Sequence, residues 1–295
     1  MKYRIAVAVS GGVDSAVAAQ LLSRQGHEVV GITMCLGVAV DEAGRTKCCG
    51  PQEIEDARRV CRMYDVPHYT MDFSRDLEED VIKPFIEEYQ QGRTPNPCVA
   101  CNRFIKFGSL LDKATAMGFD FLATGHYAGM ARQGDKPLLI RSKEARKDQT
   151  YFLYAIRREV LERIRFPLGA LSKNEVRQIA RESGLHVSDK QESQDLCFIP
   201  QASYGVFLRE RSIGVSPGEF VDRKGNVLGR HGGYALYTKG QRARLGGRSG
   251  NSLYVLAVDA GTNRVVIGEK ADLMARSLVA EEVNLLVDEL PERAV

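Results

Sequence analysis

Residues 10–15, with the sequence Ser-Gly-Gly-Val-Asp-Ser, form a loop suited to binding phosphate. Its glycines let the backbone approach an anion, and a helix after the loop would offer free N–H groups and the positive end of its dipole. The hydroxyls of Ser10 and Ser15 can add hydrogen-bond donors. The loop lacks the GK[ST] of a Walker A motif and the G-x-G-x-x-G of a dinucleotide fingerprint, so it predicts a phosphate site of another type.

Two cysteine segments that are far apart in the chain could carry nucleophilic or metal chemistry. In residues 92–102, two prolines predict a non-helical segment up to Cys101, where a helix begins. A cysteine at a helix N-terminus has a lowered pKa, which makes Cys101 a candidate nucleophile. Cys197 lies within the second segment, residues 195–199, and on its own would be expected to be a small buried apolar residue. Seven cysteines in a cytosolic chain favour metal or redox chemistry over a disulfide framework.

Alternating strands and helices must position these residues. Apolar runs at residues 5–9, 28–33, 67–71 and 119–124 predict strands, and helices are expected at residues 16–22, 51–64 and 107–117. This alternation predicts an α/β fold with a parallel, doubly wound sheet. Ligands bind such sheets at the carboxyl ends of the strands, where both the loop at residues 10–15 and the turn at residues 124–126 are expected to lie.

The second half of the chain changes character. Residues 172–175 form a capping-box signature that opens a helix ending near Ser183, with Gly184 as its C-terminal glycine. After about residue 201, short strands predominate at residues 218–222, 227–229, 253–259 and 264–268. We expect residues 1–204 to form the catalytic domain and residues 205–280 a small β-rich domain. Residues 281–295 read as the start of a further domain that is missing from this chain.

Charge and hydrophobicity limit the classes of function. No apolar run approaches the ~20 residues that cross a bilayer, and no signal-peptide pattern is present, so we expect a cytoplasmic protein. The net charge is only +3, but residues 223–248 hold seven Lys or Arg residues and no acidic one. This basic segment predicts either a solvated surface or a site for a polyanionic partner.

The loop at residues 10–15 resembles the PP-loop of N-type ATP pyrophosphatases. Those enzymes adenylate a carbonyl oxygen and release pyrophosphate. The resemblance implies ATP as a cofactor and a role for Asp14 in holding Mg²⁺. The alternative for Asp14 is a helix N-terminal charge, which would stabilise the helix by about 0.3–1 kcal/mol.

Over essentially its whole length the chain resembles the bacterial tRNA-specific 2-thiouridylases. The shared segments are the loop, the two cysteine segments and residues 72–73, 124–128, 147–153 and 189–190. The resemblance implies that the C2 carbonyl of the wobble uridine in tRNA is adenylated. It also implies that Cys197 carries a persulfide, that Cys101 releases its sulfur, and that Asp14 completes the catalytic set. These two thiols must then come within disulfide reach, about 4.4–6.8 Å between Cα atoms. A persulfide-donating carrier protein or free sulfide would supply the sulfur.

The resemblance also implies two sets of binding residues. The ATP site would consist of Ala8, Val9, Ser10, Gly11, Gly12, Val13, Asp14, Ser15, Met34 and Gly125. The tRNA site would place Asn96, Pro97 and Cys98 at the target base, with His126, Lys147, Asp148 and Gln149 contacting the tRNA.

Cys98 departs from the family, which commonly has an acidic residue there. Cys98, Cys101 and Cys197 could together hold an open [4Fe–4S] cluster, and the sequence leaves the persulfide relay and the cluster as equal alternatives. Cys48, Cys49 and Cys61 are expected to be loop or packing cysteines. A PP-loop ligase of the GMP, NAD or argininosuccinate synthetase type is a weaker alternative, because those reactions need no thiol relay. Two further alternatives are a catalytically silent nucleotide or RNA-binding module and an enzyme that removes sulfur from thiolated bases.

Overall fold

The computed structural model describes residues 1–37, 51–191, 196–199, 204–211, 213–243 and 252–288. Cys48 and Cys49, Arg244 and Arg248 of the basic segment, and the last seven residues lie outside this part of the chain. Two units form: one from residues 1–80, 98–198 and 283–295, the other from residues 81–97 and 199–282.

The helices and strands of the described residues, in chain order, have the following bounds. The helices are α1 (Val13–Arg24), α2 (Pro51–Met63), α3 (Ser74–Leu77), α4 (Lys83–Gln90), α5 (Pro97–Ala100), α6 (Leu111–Ala116), α7 (Lys173–Glu182) and α8 (Tyr204–Glu210). The strands are β1 (Arg4–Ala8), β2 (Glu28–Cys35), β3 (His68–Asp72), β4 (Phe121–Ala123), β5 (Gly129–Gln133), β6 (Lys136–Ile140), β7 (Ile164–Arg165), β8 (Gly218–Val221), β9 (Val227–His231), β10 (Arg242–Ala243), β11 (Leu253–Asp259) and β12 (Arg264–Gly268).

A five-stranded parallel sheet with the order β3-β2-β1-β4-β7 forms the centre of the first unit. Its inner strands are continuous apolar runs because helices cover the sheet. Helix α1 packs through the small side chains of residues 16–19, all at most 1% exposed. From β1 the chain adds β2 and β3 on one side of the sheet, and then adds β4 and β7 on the other side. Loops at such a switch point, here between β1 and β4, form a ligand crevice. The predicted parallel α/β fold is confirmed.

Helical structure begins at Pro97, four residues before the predicted start at Cys101, so that prediction is wrong. Proline fits the first turn of a helix, where its missing N–H needs no partner. After α5 the chain continues as a π-helix over Cys101–Leu110, which contains Gly108 with φ −112° and ψ −107°, and then as α6. The helix predicted over residues 107–117 is therefore only the end of a longer helical segment.

The second unit contains a five-stranded sheet with the order β10-β11-β12-β8-β9. Strands β12 and β8 are parallel and the other pairs are antiparallel. Its core is built on Phe220, Val255, Val265 and Ile267. The predicted β-rich structure after the α/β fold is confirmed. Within the described ranges, no helix is both long enough and apolar enough to pass through a bilayer.

Candidate active site

The loop at residues 10–15 joins β1 to the N-terminus of α1 at the switch point of the sheet. Gly11 has a φ of +73°, and a Cβ there would lie 2.4 Å from the carbonyl oxygen of Glu53. The Ser15 hydroxyl accepts from the Ser10 N–H at 3.1 Å and donates to the Gly12 carbonyl at 3.2 Å, which fixes the turn. Gly12 caps α1 without a side-chain hydrogen bond, so the loop offers its first-turn N–H groups to an anion.

Asp14 lies in a partly buried ion pair with Lys173. The Lys173 ammonium donates to both carboxylate oxygens at 2.8 Å, and the Tyr127 hydroxyl donates to Oδ1 at 2.9 Å. The Lys173 side chain is only 10% exposed and that of Asp14 29%. A cation from the start of α7 thus lies beside the loop, which has no lysine of its own. The charge of Asp14 is balanced by protein in this arrangement.

Lys190 brings a second ammonium to the loop. It donates to the Gly11 carbonyl at 3.1 Å and to the buried carboxylate of Asp56 at 2.7 Å. Burial acts to raise the pKa of Asp56, but the hydrogen bonds from Lys190, Gln52 and His186 hold it below its ordinary value. Lys173 and Lys190, which lie far from the loop in the sequence, therefore both contact it.

Gly125 lies against the loop, and Met34 lies near the carboxyl end of the neighbouring strand β2. A Cβ on Gly125 would lie 2.7 Å from the Ser15 nitrogen, so only glycine permits this approach of the turn after β4 to the loop. Met34 is near the carboxyl end of β2, whose Ile32 pairs with Ala8 of β1. These predicted ATP-site positions thus lie at the carboxyl end of the parallel sheet, on the same side as the loop.

The turn at residues 124–126 connects the loop to the π-helix Cys101–Leu110, which we call the cysteine helix. Its Gly125 touches the loop, while the buried His126 ring packs 5.8 Å from the Phe107 ring of the π-helix that begins at Cys101. The Thr124 hydroxyl and His126 Nδ1 share a hydrogen bond of 2.7 Å. Burial first, and the charge of Lys106 second, hold the pKa of His126 well below its usual value.

Cys98, Cys101 and Cys197 lie within electrostatic range of one another. Cys98 and Cys197 are exposed, while Cys101 is buried. Burial raises the pKa of both Cys98 and Cys101, and charge on Cys197 adds a smaller increase to each. The disulfide reach expected between Cys101 and Cys197 stays a prediction.

The predicted lowering of the Cys101 pKa is wrong. Burial, with smaller contributions from the neighbouring thiols, raises it to about 11. Lys106 opposes this increase and is the cation that acts on Cys98, Cys101 and His126 alike. In a π-helix, residues five apart face each other across one turn, which accounts for the proximity of Lys106 to Cys101.

The predicted metal site is not formed in this arrangement. Among the described residues, no group of three or more His, Cys, Asp or Glu side chains is placed to hold a metal ion. The three thiols are thus neighbours without the geometry of a cluster ligand set.

The predicted tRNA-site residues have different surroundings. Asn96 and Cys98 are exposed, whereas Pro97 and His126 are buried. Asp148 accepts hydrogen bonds from the Ser142 N–H at 2.7 Å and from the Thr150 N–H at 3.2 Å. Gln149 exchanges hydrogen bonds with the Tyr127 backbone, with its side chain accepting at 2.8 Å. In this conformation, Asp148 and Gln149 hold the chain around Tyr127, and a direct contact of His126 with tRNA would need its ring to become exposed.

Sequence reasoning missed Lys173, Tyr127 and Asp56 as members of this site. Lys173 stood within the recognised capping box and Lys190 within a segment shared with the family, but nothing in the local sequence links either lysine to the loop.

Comparison with known proteins points to one family. Residues 3–201 match the family model of the tRNA methyl transferase HUP domain, and residues 206–269 that of the tRNA methyl transferase PRC-barrel domain. The chain is 52% identical over 294 residues to tRNA-specific 2-thiouridylase MnmA 1 of Syntrophus aciditrophicus, which covers 100% of this chain and 79% of that protein. It is 46% identical over 299 residues to tRNA-specific 2-thiouridylase MnmA of Carboxydothermus hydrogenoformans, covering 99% and 82%. A solved 4-thiouridine synthetase–RNA complex with bound ATP aligns at a TM-score of 0.41 and 16% identity over 72% of this chain and 50% of that chain, too slight a likeness to carry an argument.

Proposed function

This chain belongs to the tRNA-specific 2-thiouridylase family, and we propose that it replaces the C2 oxygen of the wobble uridine in tRNA with sulfur, using ATP. The observation that supports this most strongly is the turn at residues 124–126. It contacts the phosphate-type loop through Gly125 and the cysteine helix through His126. The proposed adenylating and thiol sites would therefore be linked by one turn within one unit of the chain, which supports a reaction that needs both.

Adenylation is the first step of the proposed reaction. The C2 carbonyl oxygen of the uridine attacks the α-phosphorus of ATP, a P–O bond forms, and pyrophosphate leaves. The N–H groups at the start of α1 and the ammonium of Lys173 would stabilise the charge on the phosphates. Gly11 and Gly125 let the segments around the loop pack closely, because a Cβ at either position would collide with neighbouring backbone.

Sulfur transfer is the second step. The terminal sulfur of a Cys197 persulfide attacks C2, and AMP leaves with the former C2 oxygen. The Cys101 thiolate then attacks Cys197 Sγ, the S–S bond breaks, and the sulfur remains on C2. The product enzyme holds a Cys101–Cys197 disulfide, which an external dithiol reduces. In the variant pathway, Cys101 attacks the persulfide first and the released hydrosulfide attacks C2. A persulfide-donating carrier protein would reload Cys197 after that reduction. With free sulfide, hydrosulfide would instead attack Cys197 Sγ in the disulfide, which forms the Cys197 persulfide and releases the Cys101 thiolate.

Mg²⁺ would neutralise the phosphates of ATP, with Asp14 as the candidate ligand. Both oxygens of Asp14 are engaged with Lys173 in the protein alone. Binding of a metal–ATP complex would therefore require Lys173 to move its contact from the carboxylate to a phosphate oxygen.

A [4Fe–4S] cluster on Cys98, Cys101 and Cys197 is the alternative route for sulfur. We favour the relay because the present arrangement of the thiols is not that of a ligand set. Anaerobic purification followed by iron and sulfide assays and an absorption spectrum decides between them. A colourless, iron-free enzyme that thiolates tRNA supports the relay, whereas activity that scales with bound iron would overturn it.

The function is tested by measuring 2-thiouridine in tRNA after incubation with the enzyme, ATP and a sulfide or persulfide source. We expect Cys101→Ser and Cys197→Ser each to abolish thiolation while pyrophosphate release persists. Cys61→Ala is the matched control, because Cys61 is buried against the sheet, where its thiol contacts Gly31. Full thiolation by either serine variant would refute the relay, and no thiolation by the unaltered enzyme under any sulfur source would refute the function.

A further inference from the structure

Two tyrosines beside the cysteine helix expose their rings. Tyr151 is 67% exposed and Tyr154 is 53% exposed. Their ring centroids are 6.1 Å apart at an interplanar angle of 52°, and Tyr151 meets Phe152 edge to face at 5.4 Å. Large aromatic faces left in water at one place on a surface are candidates for a binding site.

The backbone beneath these rings is firmly held. Tyr151 belongs to a single 3₁₀ turn, Thr150–Leu153, whose Leu153 is fully buried, as is Ile156 just beyond it. The Asn284 amide donates to the carbonyl of Tyr154 at 2.7 Å and to that of Ile156 at 2.8 Å. The buried leucine and isoleucine therefore fix the turn so that the two tyrosine rings point outward.

The turn is tied directly to the thiol site. Asn102, which follows Cys101, is buried and donates its side-chain N–H to the Phe152 carbonyl at 2.9 Å. The two exposed rings thus flank a residue that is hydrogen-bonded to the neighbour of Cys101. A nucleic acid that presents a base to Cys101 would bring its adjoining nucleotides to this surface.

Exposed side chains on the neighbouring segments suit a nucleic acid. On the cysteine helix, Arg103 is exposed and its guanidinium lies 4.9 Å from the centre of the 40%-exposed Phe104 ring. Arg146, a few residues before Tyr151, is also exposed. Aromatic faces interleaved with cations are the chemistry by which proteins hold unpaired bases and their phosphates.

We propose that Tyr151 and Tyr154 form a stacking platform for unpaired nucleotides next to the target uridine. The inference rests on the proposed function and extends it, since it names the part of the RNA that this surface binds: splayed bases of a single-stranded loop. A duplex RNA offers its bases only within the stack, so the platform selects a loop over a stem.

The test is direct binding of an anticodon stem-loop RNA by the whole chain, without ATP or sulfur. A single stacked base is worth about 1–3 kcal/mol, so Tyr151→Ala and Tyr154→Ala should each raise Kd by roughly 5- to 150-fold. Tyr151→Phe and Tyr154→Phe should stay near the original Kd, because the ring is kept. Tyr69→Ala is the matched control, since Tyr69 is 51% exposed but lies on the edge strand β3.

A fluorescent base gives an independent reading. With 2-aminopurine beside the target uridine, binding should quench its emission, and Tyr151→Ala should restore most of the emission at saturating protein. Unchanged Kd and unchanged quenching in both alanine variants would overturn the platform. This holds even if the same variants lose binding of a protein sulfur donor. The test is separable from the proposed function: a chain that binds the loop through the tyrosines but never thiolates it keeps the platform and loses the function.

Discussion

Cys101 is the residue at which burial most changes the expected chemistry. A cysteine in the first turn of a helix has a lowered pKa when it is exposed to the helix dipole and to solvent. Here the helix begins at Pro97 and Cys101 is only 7% exposed, so burial raises its pKa to about 11 instead. Sequence could identify the thiol but not its ionisation, because burial depends on the packing of distant segments. A neutral Cys101 would remain inactive until substrate binding or a neighbouring charge favours the thiolate.

The pH dependence of Cys101 alkylation follows from this pKa. Because only the thiolate reacts, the rate of iodoacetamide labelling should rise about tenfold per pH unit from pH 7 to 10, still below the pKa of about 11. Lys106→Met should slow labelling at pH 8, because it removes the cation that lowers this pKa. Lys113→Met is the control, since the Lys113 ammonium lies over the Phe73 ring. Mass spectrometry of the Cys101 peptide gives the rates, and a plateau near pH 8 would contradict the assignment.

Asp14 and Lys173 should behave as a coupled pair. Asp14→Asn leaves a nearly buried ammonium without its counter-charge. Because the pair is only partly buried, this should lower the free energy of unfolding by about 1–3 kcal/mol, the cost of an unsatisfied buried donor, and slow pyrophosphate release. Adding Lys173→Met should recover most of that stability without recovering pyrophosphate release. Urea unfolding and a pyrophosphate assay measure the two effects. Wild-type pyrophosphate release by the single variant would remove Asp14 from the site.

At the level of elements, α7 was predictable because its start is encoded locally. Ser172 accepts from the Glu175 N–H at 3.3 Å while the Glu175 carboxylate accepts from the Ser172 N–H at 2.6 Å. Hydrogen bonds from Lys143 and Ser172 lower the pKa of Glu175 to about 2, so the cap stays ionised above that pH. The π-helix over Cys101–Leu110 was not predicted. Its i→i+5 hydrogen-bond spacing reflects tertiary packing, which local sequence patterns do not record.

Loss of the α7 cap should be transmitted to the nucleotide site. Ser172→Ala should cost about 1 kcal/mol of stability and raise the KM for ATP, because Lys173 is the first residue of the helix. Ser172→Asp keeps a capping oxygen and should stay close to wild type in both. Thermal unfolding and pyrophosphate-release kinetics provide the measurements. A destabilised alanine variant with an unchanged KM would show that Lys173 does not depend on the cap.

At the level of the whole molecule, the parallel sheet and the β-rich unit could be predicted from periodicity and glycine turns. The pairing of residues across long separations could not, and the site depends on it: Lys173 reaches Asp14 and Lys190 reaches Gly11 only because α7 and the segment after it return to α1. Residues 81–97 belong to the same unit as residues 199–282, which no local pattern indicated.

The basic segment is the molecule-scale candidate for phosphate contacts. Its Arg230 and Arg242 are exposed, so Arg230→Glu and Arg242→Glu should weaken tRNA binding at low salt and each reduce the slope of log K against log salt by about 1. Arg62→Glu is the control, because its side chain is 70% exposed on α2 of the other unit. Binding titrations over a range of salt concentrations test this, and slopes equal to that of the unaltered chain would exclude these arginines from the tRNA surface.

The most direct test of the central claim follows the C2 oxygen. A tRNA or stem-loop substrate is prepared with ¹⁸O at C2 of the target uridine and incubated with the enzyme, ATP and a sulfur source. Adenylation of that oxygen predicts AMP with one ¹⁸O for every 2-thiouridine formed, measured by mass spectrometry of both products. AMP without the label, alongside 2-thiouridine formation, would contradict the account.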